Sequence, residues 1–239
     1  MGRAFEYRKA RKMKRWSNMA RVFTRIGREI AIAVKSGGPD PNYNPRLRMA
    51  VQNAKTANMP KANVENAIKK ATAKDAAHYD EIVYEGYAPH GIALLVETAT
   101  DNSTRTVANV RHVFSKYGGS LGTSGSVDYM FSRKGVFQIA KSAVGDRETF
   151  ELEMIDAGLE DIREEDDHLM LYCAFADYGS LSKALEDKGI EVLESKLDRI
   201  PSVTKKLLDE EAEEVIKLIE KMEDDDDVQY VFHNMDMSE

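Results

Sequence analysis

Five histidines, one cysteine and a run of carboxylates are the side chains in this sequence with the most obvious chemical capacity. His78, His90, His112, His168 and His233 never stand three or four residues apart, and none joins the cysteine in the spacing of a zinc site. The run Glu223-Asp224-Asp225-Asp226-Asp227 offers oxygens to a divalent cation. It lacks the glycine and regular ligand spacing of a calcium loop and is read as a solvated turn between helix and strand. Gly118-Gly119-Ser120-Leu121-Gly122-Thr123-Ser124-Gly125 looks like a phosphate cradle, but it has no closing Gly-Lys-Ser/Thr and leads into a strand rather than a helix. There is no Gly-x-Ser-x-Gly nucleophile elbow with partners. Cys173 lies in the apolar run Leu169–Phe175 with no second cysteine to pair with, so a buried thiol in a reducing, cytoplasmic compartment is expected. The expectation is a protein that is not an enzyme, with no metal and no cofactor.

The cations are more informative. The 239 residues carry a net charge of −7, yet residues 1–78 hold 18 lysines and arginines against 5 acids, and the remainder reverses the balance. A basic block joined to an acidic one points to a polyanion-facing end; mutual attraction of the two blocks is the plainer alternative. Arg11, Lys12, Lys14 and Arg15 belong to an arm at residues 1–20, interleaved with Phe5, Tyr7 and Trp16, that is expected to order on a polyanion. Arg21, Arg25 and Arg28 recur at helical spacing, and Arg46, Arg48, Lys55, Lys61, Lys69 and Lys70 follow on two further helices. Each such group placed on phosphate releases counterions, whatever the base sequence.

These charges need a scaffold. Val22, Phe23, Ile26, Ile30 and Val34 form the stripe of one helix, which Gly37-Gly38-Pro39 ends. Asn44-Pro45 opens a second helix with Leu47, Val51 and Ala54 inward, and Asn58-Met59-Pro60 breaks it. A third runs from about Lys61 to Lys74 on Val64, Ile68 and Ala71. Each has one face that water disfavours, so the three must pack as a bundle over residues 21–78. From Tyr79 the period changes: strands at Ile82–Tyr87 and Ile92–Val96, a helix from about Asn102 to Lys116 on Val107, Val110 and Phe114, and a strand at Ser126–Phe131. From Gly135 the order β-α-β-β-α-β follows, the ferredoxin-like split βαβ pattern. A helix at Asp209–Met222 and a strand at Val228–Phe232 remain and cannot fold alone. The fold expected is therefore α+β in three domains: the helical bundle, then two α+β (ferredoxin-like) domains, with residues 134–200 inserted into a domain built from 79–133 and 201–239.

A family resemblance sharpens this. Asn44-Pro45-Arg46-Leu47-Arg48, Asn58-Met59-Pro60-Lys61, Tyr84-Glu85-Gly86-Tyr87, Thr100-Asp101-Asn102 and Gly118-Gly119-Ser120-Leu121-Gly122 follow one another as in the YebC/PmpR family. Arg105-Thr106, Phe114-Ser115-Lys116, Ser124-Gly125-Ser126-Val127 and Asp226-Asp227-Val228-Gln229 fit as well. That family includes the mitochondrial translational activator of cytochrome oxidase subunit I. The resemblance implies three domains in a curved arrangement, without known catalytic activity, in DNA-binding transcriptional regulators or ribosome-associated factors that ease stalled translation. The opening departs from it: Gly2-Arg3-Ala4-Phe5-Glu6-Tyr7 stands where the family has Gly-His-Ser-Lys-Trp.

The expected function is a nucleic-acid-binding regulator of gene expression, of the DNA-binding transcriptional type. The alternative is a translation factor whose basic domain grips ribosomal or transfer RNA, with the ribosome as partner. A protein-binding scaffold is a third reading. No stretch approaches the length of a membrane span, and no oligomeric state follows from the sequence.

Overall fold

The computed structural model describes residues 19–237. Helix α1 (Met19–Gly37) buries Ile26, Ile30, Ala33 and Val34 against α2 (Pro45–Thr56) and α3 (Lys61–Ala71). Asn44 makes the first corner. It accepts from Leu47 N at 3.0 Å as the N-cap of α2 and donates its amide to the carbonyls of Ala33 and Gly38 at 2.7 and 2.8 Å. One side chain thus starts the second helix and ties off the first.

Beyond the bundle the chain forms two four-stranded antiparallel sheets, so the fold is α+β with a helical N-terminal domain. The first sheet has the order β3-β1-β2-β8, from β1 (Asp80–Ala88), β2 (Ile92–Thr100), β3 (Ser120–Leu121) and β8 (Val228–His233). Helices α4 (Ser103–Lys116) and α7 (Asp209–Glu223) cover one face, packing Val110, Phe114, Val215, Leu218, Ile219 and Met222 on Ile92, Leu94, Val96 and Val228. The second sheet consists of β4 (Phe131–Ala140), β5 (Leu159–Glu165), β6 (His168–Ala174) and β7 (Val192–Pro201). Their order, β5-β6-β4-β7, is that of the split βαβ motif. Its helices α5 (Arg147–Ile155) and α6 (Tyr178–Asp187) bury Phe150, Met154, Leu181 and Leu185 on Phe137, Ile139 and Leu171. Cys173 belongs to this core, and burial pushes its thiol up to about 11.

The third domain leaves from the first sheet's domain and returns to it, as expected. β4 and β7 pair from Phe131↔Pro201 to Ile139↔Val192, and Ser202 N donates to Met130 O at 2.8 Å, so the outgoing and returning strands lie side by side.

The strand expected at Ser126–Phe131 does not form there. Residues Asp128–Met130 make one turn of 3-10 helix and β4 begins only at Phe131, while the short Ser120–Leu121 pairs with Gly86 and Tyr87. The cause is Glu85. Its carboxylate accepts from the backbone N–H groups of Gly125, Val127 and Asp128 at 2.6, 2.8 and 2.8 Å, donors that a strand would have used. Burial alone would raise Glu85, but these three bonds outweigh it and hold its carboxyl below the ordinary glutamate value. The glycine-rich loop does cradle an anion, and the anion is the protein's own.

Candidate nucleic-acid interface

The structure divides the basic residues of the bundle into two groups. The first faces the rest of the protein. Arg21 bonds Asp224, Arg25 donates to Glu223 O at 2.8 Å, and Arg28 donates to Ala99 O, Asp226 O and Asp227 Oδ1 at 2.8, 2.7 and 2.8 Å. The Arg28 guanidinium also lies 5.3 Å from the centre of the Tyr79 ring. Arg46 makes a two-pronged bond to Glu81 on β1, and Arg48 stands 3.4 Å from Glu186 on α6. These arginines join the bundle to the two sheets, so their charges meet carboxylates and carbonyls already in place. Residues 11–15, expected to add to the basic surface, lie outside the described residues.

The acidic run is the counterpart of this group, and here the reading as a solvated turn needs correction. Asp227 is buried and accepts from Arg28, Thr100 Oγ1, Arg105 Nη2 and Thr106 Oγ1, at 2.8, 3.2, 2.7 and 2.7 Å. Burial acts to raise its pKa. The bonds from Arg105, Thr106 and Arg28 prevail and hold it below the ordinary aspartate value. Thr106 explains a second departure: it takes the fully buried place on α4, while Val107 is only half-buried. A hydroxyl inside a helix that otherwise buries valine and phenylalanine was the available signal. Its meaning depended on an acid 121 residues away.

The second group faces outward. Lys55, Lys61, Lys69 and Lys70 are exposed, as is Lys74. Lys55 lies 3.6 Å from Glu191 and Lys61 lies 3.7 Å from Glu65 at the next turn; both pairs are solvated, and such pairs are worth little. Lys69 and Lys70 stand in the last turn of α3, and among the described residues neither has an ion-pair partner, nor does Lys74. Beside them a groove of about 660 Å³ opens between α1 and α3. It is lined by Thr24, Asn63, Asn66, Lys70 and Tyr79, together with small residues such as Gly27, Ala31 and Ala67. Phe23, Met59 and Asp75 also line it; Lys70 with the carboxamides of Asn63 and Asn66 can receive a sugar–phosphate backbone. Among the described residues no three histidine, cysteine or acidic side chains gather as ligands for a metal, and no helix is long and apolar enough to cross a membrane.

A helical bundle presenting lysines, bound through its arginines to two antiparallel α+β sheets, one inserted into the domain of the other, defines the structural class. The sequence comparisons give the family. Residues 79–235 match the model described as the TACO1/YebC second and third domain, and residues 3–74 match that of the TACO1/YebC N-terminal domain. The chain belongs to the TACO1/YebC family. It is 59% identical over 235 residues to a protein of Porphyromonas gingivalis, covering 98% of this chain and 97% of the relative. A Flavobacterium johnsoniae protein is 57% identical, with 98% and 99% covered. Both carry the name "probable transcriptional regulatory protein". A crystal structure of a conserved hypothetical protein from Aquifex aeolicus is similar over 91% of this chain and 90% of its own, at 39% identity and a TM-score of 0.79.

Proposed function

We propose that this protein is a nucleic-acid-binding regulator of gene expression, of the DNA-binding transcriptional type that the names of its relatives describe. The observation supporting this is the outward lysine group of the bundle, Lys55, Lys61, Lys69, Lys70 and Lys74, of which Lys70 lines a groove with the carboxamides of Asn63 and Asn66. Arg21, Arg25, Arg28 and Arg46 then serve as the frame that presents the lysines rather than as phosphate ligands. Arg11, Lys12, Lys14 and Arg15 are read as further cations for the same polyanion.

Binding of the intact protein to a duplex DNA and to a structured RNA of equal length, across a salt series, tests this reading. Changing Lys55, Lys61, Lys69 and Lys70 to glutamine is expected to weaken binding. It should also flatten the log–log salt slope on DNA by about 3 to 4, because each phosphate that a cation neutralises contributes about −0.9. An unchanged slope would remove the bundle from the interface. The second reading, an RNA- or ribosome-bound translation factor, draws on the same lysines. The acidic charge of the sheet domains supports it, since it confines binding of a polyanion to one end of the molecule, as suits a compact folded RNA. Preference for the RNA in the same series decides for it.

A further inference from the structure

The bundle, the first sheet and the third domain meet around a second cleft, of about 540 Å³. Among the described residues, three polar side chains in its wall hold buried atoms without a hydrogen-bond partner: Glu29 Oε2 on α1, Asn53 Oδ1 on α2, and both Oε1 and Nε2 of Gln229 on β8. Gln229 is only 6% exposed. Its position has a specific cause. The β2–β8 register passes from Glu97↔Tyr230 to Thr98↔Val228, leaving Gln229 as the extra residue of a bulge. Val228 and Val231 both enter the core under the helices, while the consecutive Gln229 and Tyr230 both line the cleft. An uninterrupted strand would have turned Gln229 to the opposite face. Unpartnered buried polar groups cost stability, and here three elements from two domains bring them to one space.

The rest of the wall limits what could satisfy them. Its cations are mostly taken: Arg46 by Glu81, Arg199 by Glu97 and Asp128, Lys196 by Asp198. Arg133 lies 4.3 Å from the centre of the Phe175 ring. A phosphate or carboxylate would find little to bind. Ile32, Met49 and Val83 supply apolar wall, and Tyr178 presents a ring held through its hydroxyl by Ser195 at 2.9 Å. Three of the four unpartnered atoms are oxygens.

We propose that this cleft is a binding site for a small ligand with an amino group, its N–H donors taken by Glu29, Asn53 and Gln229 and its body lying on the apolar and aromatic wall. Glu29 Oε1 already accepts from the Tyr230 hydroxyl, so Oε2 is the oxygen left for the ligand. The inference is independent of nucleic-acid binding at the bundle. The chemistry is shared by an aliphatic amine and by a base with an exocyclic amino group, so both serve as probes.

The intact protein is titrated calorimetrically with butylamine, adenosine and cytidine, with uridine, which has no amino group, as the control. Binding of one or more amino-bearing probes, and weaker or no binding of uridine, is expected; which probe binds distinguishes the two sources. Gln229→Leu and Asn53→Leu are each expected to weaken that binding by about tenfold or more, the effect of one missing bond to a buried group. They should also leave the melting temperature of the free protein unchanged or raised, because each removes unpartnered atoms. No binding by any amino-bearing probe, equal binding of uridine, undiminished binding in both variants, or a lowered melting temperature in both would each overturn the proposal.

Discussion

Arg28 and Asp227, separated by 199 positions in sequence, meet at 2.8 Å across the junction of the bundle and the first sheet. Neither is held by the other alone. Arg28 also reaches the carbonyls of Ala99 and Asp226, and Asp227 also receives Arg105 and Thr106. The pair is thus one edge of a network that ties the N-terminal helix, the end of β2, the start of α4 and the α7–β8 turn to one carboxylate.

Asp227→Ala should therefore cost more than a surface ion pair. Removing the buried acceptor leaves Arg28, Arg105 and two threonine hydroxyls without it, a loss of about 3–5 kcal/mol. A urea titration measures it. Arg21→Gln, which breaks only the exposed bond to Asp224, should cost about 1 kcal/mol or less. Equal losses in the two variants would contradict the buried network.

Two acids at this junction should give opposite pH dependences. Asp227 is held below its ordinary value, so its stabilisation is complete above an unfolded pKa of about 3.9 and is lost as pH falls through the folded value. Glu29 is raised, chiefly by burial, against the bond from Tyr230 and the nearby Arg46 and Arg25. Between its ordinary and its raised value the unfolded chain has already released the proton that the folded protein keeps, so stability falls as pH rises. Glu29→Gln should then be more stable than the parent near pH 7 and match it below about pH 4, where both forms are uncharged. Urea midpoints at the two pH values check the sign.

Glu85 and Gly86 make a local prediction. Glu85→Gln replaces an ionised acceptor of three backbone donors with an amide carrying one oxygen, at a cost of about 1.5–3 kcal/mol. Gly86→Ala would place a Cβ 2.5 Å from Ser120 O and 2.8 Å from Phe114 Cζ, so β3 must move away; about 1–3 kcal/mol is expected. Thermal unfolding of each variant measures the cost, and a neutral Gly86→Ala would show that β3 is not held against β1.

Cys173 should be inert in the native protein. With its thiol fully buried and pushed up to about 11, a maleimide at neutral pH is expected to label it only after unfolding. Rapid native labelling, followed by mass spectrometry, would contradict the packed core of the second sheet.

The helices and most strands were legible from local pattern. Asn44-Pro45 and Asn102 announce helix starts, Ile26, Ile30 and Val34 a buried stripe, and the apolar run Leu169–Phe175 a strand with a buried thiol. The inserted topology followed from counting elements that could not fold by themselves. What escaped was whatever depended on a distant partner. The Ser126–Phe131 stretch reads as a strand until Glu85 takes its donors, and Asp227 reads as solvated until Arg28 and Arg105 close over it. The lysines and arginines of the bundle look alike in composition. Only packing separates Arg25 and Arg28, turned inward to carbonyls and a carboxylate, from Lys69 and Lys70, turned to solvent. Gln229 gave no sequence signal, because a bulge is a property of two strands together.

The pairing of Phe131 with Pro201 has a mechanical consequence. The third domain is attached by a hydrogen-bonded ribbon rather than by two separate threads. A two-stranded ribbon bends across its flat face and twists, but its cross-links oppose stretching and sliding of one strand along the other. The domain it carries is thereby held in register with the first sheet's domain, and Gln52 Nε2, donating to Val192 O at 2.6 Å, fastens it to the bundle as well. Arg199, gripping Glu97 on β2 and Asp128, clamps the root of that ribbon to the first sheet's domain.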